Sequence, residues 1–545
     1  ITDFEVAAGR LSRCFGTGNG VLECLRARFR GWRAVPRLAR GLAFCHDAPM
    51  TRLIPVWLAV YAVSLSLTAD PVAAPVNIDS RLELFVDDFL IERMDGVARK
   101  LHEPIRQPRP KAPLPDRFYC TILKDGDTFR AYWRDKDPDY PGAKKYFAEH
   151  SEQVAKYVEA TGMKADRIRA GDYFAGHPGT VVRYAESSDG HDWTFPQLGL
   201  VEVAGTKENN VILKDMPPLL SNFCPFIDTN PATPASERYK ALGGHPGYYE
   251  KRGAPGSGLH AFVSPDGFRW KMIGEVIPYP RDTTHAFDSQ NVSFWSEAEG
   301  QYVCYFRTYK TPWGSLPSIT RTTSPDFRDW TKPDFVPPNR EGERLYTSQT
   351  HPYFRAPHIY IALPTRYFKK RSDITDIAFM TTRAGSTHYD RPFPGAFIRP
   401  GLASKHWRNR SNYLALNVHP TGPHEMSMWH KNGYRYTVRT DGFISVNADV
   451  EAGELVTRPL HFEGKQLQLN LSTAAGGLVK VEIQDEQGRP IEGFAATDCD
   501  PIYTDAIKHV VTWRKSGDVS RLASRAIRLR FVMREADLYS LRFAR

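Results

Sequence analysis

A single feature narrows the folds open to this chain more than any other. Four apolar strand-like runs are each preceded by serine and an amide: Ser221-Asn222, Ser289-Gln290, Ser348-Gln349 and Ser411-Asn412, at separations of 68, 59 and 63 residues. Asp116-Arg117 fills the same slot ahead of an earlier run beginning at Phe118. A second signature sits between these points, as Ser187-Ser-Asp189-Gly-His-Asp-Trp193, Ser264-Pro-Asp266-Gly-Phe-Arg-Trp270 and Ser324-Pro-Asp326-Phe-Arg-Asp-Trp330. Serine, aspartate and glycine build a tight turn, and the tryptophan packs behind it. A repeat of about 60 residues made of short strands cannot bury its apolar faces alone, so its copies must pack on one another. The expected fold is all-β: a five-bladed β-propeller with one four-stranded sheet per repeat. A β-sandwich array or a solenoid is the competing arrangement, and the recurring tryptophan turn favours blades.

Within that frame the propeller is expected over 75–437. The stretch Ala143–Arg169 carries apolar residues at helical spacing and reads as a helical insert within 138–178. From 438 to 545 the alternation belongs to another all-β run, expected as an accessory β-sandwich. The run Leu84–Ile91, containing Asp87-Asp88, is expected to close the ring by pairing with the last blade.

The beginning of the sequence has a different character. Met50-Thr-Arg is followed by an uncharged run from Leu53 to Thr68 and then by small residues before Pro75. Those are the parts of a secretory signal over 50–74, and residues 1–49 read as an upstream segment outside the natural protein. The expected location is secreted or periplasmic. Of the seven cysteines, Cys120, Cys224, Cys304 and Cys499 lie downstream, far apart and without zinc-type spacing, as small buried hydrophobes. Lys+Arg 72 against Asp+Glu 62 gives a net charge of +10, with no basic tract after Arg40 to serve nucleic acid.

In a propeller the first strand of each blade starts, and the second ends, at the same mouth of the central channel. Residues at those points converge without any local motif. They supply Asp116, Asn222, Asp288, Gln290, His351, Arg410 and Asn412 from first strands, and Arg134, Arg307 and Arg366 from second strands. Carboxylates, amides, guanidinium groups and neighbouring aromatics suit a sugar, and three arginines suit one bearing carboxylate or sulfate. Glycosidic cleavage needs two carboxyl groups across the bond. Asp288 and Asp116 are the leading catalytic candidates, with Glu208 as a third acid and Glu343 and Glu425 as its alternatives. The competing reading makes each a capping or loop acid, and the arginines their structural partners. No Gly-rich phosphate loop, His-Glu-x-x-His or Gly-x-Ser-x-Gly motif is present.

Four stretches carry a resemblance: Asp79–Ile91, Phe287-Asp-Ser-Gln-Asn-Val292, Tyr353-Phe-Arg-Ala-Pro-His358 and Arg439-Thr-Asp-Gly-Phe443. Through them the chain after Asp79 resembles secreted planctomycete-type glycoside-hydrolase-like proteins, with a family 32/43-like five-bladed propeller and C-terminal β-sandwich. The resemblance implies a glycoside hydrolase acting on a plant or algal polysaccharide. Asp116 would hold the nucleophile or base position and Asp288 the mid-ring acid position. The Trp-Met-Asn-Asp-Pro and Arg-Asp-Pro motifs of fructosidases are absent, which speaks against fructan. No cofactor is expected; a structural calcium is allowed by the resemblance but demanded by no ligand spacing. The partner is a carbohydrate, with no nucleic acid and, after signal cleavage, no membrane; the oligomeric state stays open. A non-catalytic carbohydrate-binding propeller and a polysaccharide lyase are the alternatives.

Overall fold

The computed structural model describes residues 74–139, 151–152, 179–214, 220, 222–244, 258–280, 282–283, 285–523 and 525–545. The upstream segment, all but the last residue of the signal, and nearly all of the expected helical insert lie outside them.

Five antiparallel sheets follow one another along the chain. Blade 1 runs Thr121–Asp125, Thr128–Lys136, Thr180–Ser187 and Val211–Leu213. Blade 2 runs Cys224–Ile227, Tyr239–Gly243, Leu259–Ser264 and Lys271–Ile277. Blade 3 runs Val292–Ser296, Gln301–Thr311, Gly314–Ser324 and Asp334–Phe335. Blade 4 has His351–Tyr353, Ala356–Ala362 and Met380–Arg383, with an extra hairpin, Thr365–Phe368 and Ile374–Ile377, between the second and third strands. Blade 5 has His419–Pro420, Glu425–Trp429 and Arg435–Arg439, and takes its outer strand, Ile105–Arg106, from upstream of blade 1.

The ring follows from which faces are apolar. On the second strand of blade 3, Tyr302, Cys304 and Phe306 pack with Leu242, Leu259 and Ala261 of blade 2. The alternate residues Val303 and Tyr305 pack with Tyr360, Ala362 and Met380 of blade 4. Period-two alternation thus gives every blade two apolar faces, one for each neighbour. The same holds between blades 1 and 2 (Tyr132 and Tyr184 with Tyr239 and Phe262) and between blades 4 and 5 (Ile359 and Ile361 with Met426 and Met428). Ile122 and Phe129 of blade 1 meet Ala415 and Trp429 next to and within blade 5, which completes the circle. Each aromatic or branched side chain fully buried this way contributes about 1.5–3 kcal/mol. Cys120, Cys224 and Cys304 are free and buried within these cores, and Cys499 is free and buried in the core of the residues that follow blade 5.

The Ser-x-Asp turns clamp neighbouring blades. Each follows a third strand. The serine hydroxyl accepts from the glycine amide (Gly190 to Ser187, Gly267 to Ser264, both 2.9 Å). The aspartate accepts two more amides, as Asp266 does from Phe268 and Arg269 at 2.8 Å each. Every turn is then gripped by the preceding blade. Trp429 Nε1 donates to Gly190 O at 2.7 Å, Arg130 to Asp266 O at 2.8 Å, and Arg328 reaches Glu237 at 2.9 Å. Glu299 accepts the Gly385 amide, and Tyr353 and Arg355 hold Asp441 at 2.6 and 2.5 Å.

Residues after blade 5 form a second β module. Its long strands Gln466–Gln484 and Arg528–Ala544 pair along most of their length, and Ile444–Ala448 and Gly453–Thr457 join the same sheet. Four strands from the start of the described chain also pair here: Val76–Asp79, Glu83–Leu84, Ile91–Asp95 and Val97–Leu101. This corrects the expectation for Leu84–Ile91. Its ends pair with the second module, the ring is closed by Ile105–Arg106, and Glu83 and Asp87 instead bind Arg383 of blade 4 at 2.9 and 2.7 Å.

Candidate functional site

Chain entry into the inner strands sets the site's geometry. Tyr119, Asn222 and Gln349 lie two residues before first strands with φ of 58°, 57° and 54°. A non-glycine residue in this left-handed region is uncommon and marks a backbone shaped by its surroundings. Phe287, at φ 66°, has the same conformation just before Asp288.

Asp288 Oδ2 lies 2.8 Å from Arg307 Nη2; the Arg307 side chain is 1% exposed and that of Asp288 27%. The guanidinium carbon of Arg307 lies 4.4 Å from the ring centre of Tyr346 and 5.2 Å from that of Tyr309. Arg307 Nε and Nη1 are buried without hydrogen-bond partners among the described residues. Burial works against the Arg307 charge, and Asp288 with the surrounding phenols more than offsets it, so the group stays fully cationic. From Tyr346 an aromatic chain continues to Tyr367 at 5.5 Å and Tyr413 at 6.2 Å, and from Tyr413 to Tyr119 at 6.1 Å. Arg134 stands 6.0 Å from the Tyr119 ring centre, and Arg410 hydrogen-bonds Tyr346 and faces Tyr413 and Tyr119.

The result is a pit at the channel mouth that holds, among the described residues, three guanidinium groups, one carboxylate paired with them and a wall of phenols. Burial raises the Tyr119, Tyr309 and Tyr413 hydroxyls above the usual phenol range, and neighbouring Tyr346 and Asp288 add to this at Tyr119. Burial, then the Asp373 hydrogen bond, pushes Tyr367 up to about 12. These phenols are therefore neutral near neutral pH and serve as hydrogen-bond donors and stacking faces.

Asp288, Arg307, Arg134 and Arg410 meet in this pit. Asp116 sits at its rim: its side chain is 60% exposed and paired with Lys431, whose ammonium lies 4.4 Å from the Phe118 ring, itself 5.1 Å from Tyr413. Other candidates lie elsewhere. Glu208 is exposed in the turn before Val211–Leu213, the outermost strand of blade 1. Glu343 makes a two-point ion pair with Arg391, and Glu425 pairs with Arg435.

The amides and His351 bind the ring rather than face the pit. Gln290 Nε2 donates to Cys120 O at 2.9 Å, and Gln349 Nε2 to Gln290 Oε1 at 2.6 Å and Leu414 O at 3.1 Å. Asn222 donates to Phe287 O and Asn412 to Thr375 O and His406 O. His351 Nε2 accepts the Val418 amide, so Nδ1 carries the proton toward Gln349 O. Arg366 is held by Asp376 through two bonds of 2.7 Å and by Pro394 O. The slot before a first strand serves both the axis and the mouth, and composition alone does not separate them. The tyrosines were the missed partners: Tyr119, Tyr346 and Tyr413 each lie within three residues of a slot already picked.

No family model and no curated relative matches the chain. Among solved structures it is similar to a β-1,2-mannobiose phosphorylase from Listeria innocua, at 11% identity over 61% of this chain and 92% of that one, TM-score 0.39. It is also similar to a thermostable family-43 glycoside hydrolase, at 12% identity over 63% and 95%, TM-score 0.36. A third is the Bombyx mori GH32 β-fructofuranosidase, at 10% identity over 82% and 94%, TM-score 0.33. The propeller assignment itself rests on the strand pairing and the five inter-blade cores.

Proposed function

We propose that this protein is a glycoside hydrolase of the propeller type acting on a glycan that bears carboxylate or sulfate groups. One observation carries the reading: Asp288 faces the buried Arg307 in a tyrosine-lined pit shared with Arg134 and Arg410. In this reading the substrate's anionic substituent pairs with Arg134 and Arg410, and the phenols stack on the ring and donate to its hydroxyls. Asp288 then stabilises positive charge developing at the anomeric carbon, and Asp116, at the rim, supplies the second carboxyl group. Export from the cell, suggested by the segment that begins at Met50, would bring such a protein to its polymer.

A second reading is a carbohydrate-binding propeller without turnover. It is favoured by Asp288 being the one carboxylate, among the described residues, in direct contact with the arginines of the pit. A panel of neutral, uronic and sulfated polysaccharides, assayed for new reducing ends, separates the two. Release by the wild type and its loss in Asp288→Asn supports hydrolysis; binding without release supports the second reading. Products absorbing in the ultraviolet would indicate a lyase instead.

A further inference from the structure

The extra hairpin of blade 4 joins a second strand to a third, so it projects from the channel mouth. Its strands alternate their faces. Tyr367 points to the pit, 5.5 Å from Tyr346, while Phe368 lines a separate cleft of about 700 Å³. That cleft is walled by Arg371, Asp376, Arg399, Leu402 and Trp407 as well. Its size falls inside the roughly 300–1,000 Å³ usual for ligand pockets.

Three properties say what fits there. Trp407 is 56% exposed, yet its indole N–H is fixed on Gly401 O at 2.7 Å, so the ring is a pre-oriented apolar platform open to solvent. The Asp376 carboxylate is taken up by Arg366, which leaves Arg371 and Arg399 to set the sign of the cleft; among the described residues Arg399 pairs with Glu103 alone, at 3.2 Å, and both side chains are exposed. The cleft also adjoins the pit across the hairpin, because Asp373 O at the hairpin tip accepts the amide of Arg410, a residue of the pit, at 2.9 Å.

We infer that this cleft is a distal subsite for further units of the same anionic glycan, with Trp407 stacking on a sugar face and Arg371 and Arg399 holding its charged groups. The inference rests on the reading of the pit as a glycan site. It makes the protein a binder of polymer chains rather than of terminal sugars alone, and the hairpin the ridge over which the chain passes.

Affinity electrophoresis in native gels containing polygalacturonate, alginate or carrageenan, with dextran as the neutral control, tests this. The wild type should be retarded by at least one acidic polymer and not by dextran. Trp407→Ala should bind that polymer about tenfold more weakly, with Trp407→Phe restoring most of the affinity. The double variant Arg371→Gln/Arg399→Gln should lose the salt-sensitive part of binding. Unchanged thermal midpoints would confirm that the variants are folded. Wild-type retardation in both sets of variants, or an unretarded wild type in all three acidic gels, overturns the subsite. Retardation without released reducing ends counts against hydrolysis and leaves the subsite standing.

Discussion

The hydroxyl of Tyr353 donates to the carboxylate of Asp441 at 2.6 Å, across 88 residues of chain. Tyr353 belongs to blade 4, and Asp441 to the turn that leaves blade 5. The same carboxylate also receives Arg355 at 2.5 Å, Ser540 at 2.7 Å and Asn470 at 3.0 Å, the last two from the second module. One fully buried acid therefore ties two blades to the second module.

Asp441→Ala should be among the most damaging single changes outside the pit. It leaves Arg355 half-buried without its counter-charge and strands three donors, a situation that costs about 3–5 kcal/mol. Urea denaturation should show that loss, and a change below 1 kcal/mol would mean the network is dispensable.

Asp288→Asn should abolish turnover and also lower stability, because Arg307 is buried and loses its balancing charge. Adding Arg307→Met to Asp288→Asn should recover midpoint temperature without recovering activity. A double-mutant cycle with no coupling between the two positions would show that the pair is not an energetic unit.

Stability should fall in mild acid through histidines rather than carboxylates. Burial pushes His351 and His419 down to about 4 and His430 to about 3. The unfolded chain binds protons at these residues from about pH 6.5 downward while the folded chain does not, so stability is complete above that pH and drains as pH drops toward 4. Each of His351 and His419 accounts for roughly 3 kcal/mol over that window. Urea midpoints at pH 7.5, 6 and 5 should decline, and His351→Gln should flatten the decline.

Gly190 should not tolerate alanine. Its φ is +68°, and a Cβ there would meet Trp429 Cζ2 at 2.9 Å. Backbone strain and the clash with the ring that clasps this turn together predict a loss of 1 kcal/mol or more, about that expected for an ill-placed side chain. Gly199→Ala, where φ is similar but nothing lies within 4 Å, isolates the backbone part.

The blades were legible because radial packing repeats one structural demand, and Ser187, Ser264 and Ser324 with their aspartates meet it in the same way each time. Asp288 and Arg307 were legible for the same reason: register alone places a first-strand start beside a second-strand end. Gln290 and His351 share that register but turn inward, where unpaired inner-strand carbonyls attract any donor. The closing strand Ile105–Arg106 is two residues long and carries no pattern to detect. The extra hairpin of blade 4 was hidden because Tyr353–Tyr367 reads as a single hairpin with a turn in its middle, which assigns Thr365-Arg366-Tyr367 to the end of its second strand, whereas that strand ends at Ala362 and Thr365 starts another. Three of the four stretches that suggested a family, around Glu83, Tyr353 and Asp441, sit where the propeller meets the second module, so they report a joint rather than chemistry.

The strands at 76–101 have consequences for how the molecule comes into being. Each pairs with a strand made far later, Glu83–Leu84 with Arg528–Ala544 and the other three with strands between Ile444 and Phe462, so during synthesis these early segments wait, unsatisfied, until the second module emerges. Blade 5 likewise stays short of its outer edge until Ile105–Arg106 is recruited from hundreds of residues back. Nascent chains stalled before Arg528–Ala544 would therefore expose sticky β edges, and deleting that strand would unfasten Glu83–Leu84, hundreds of residues away along the chain.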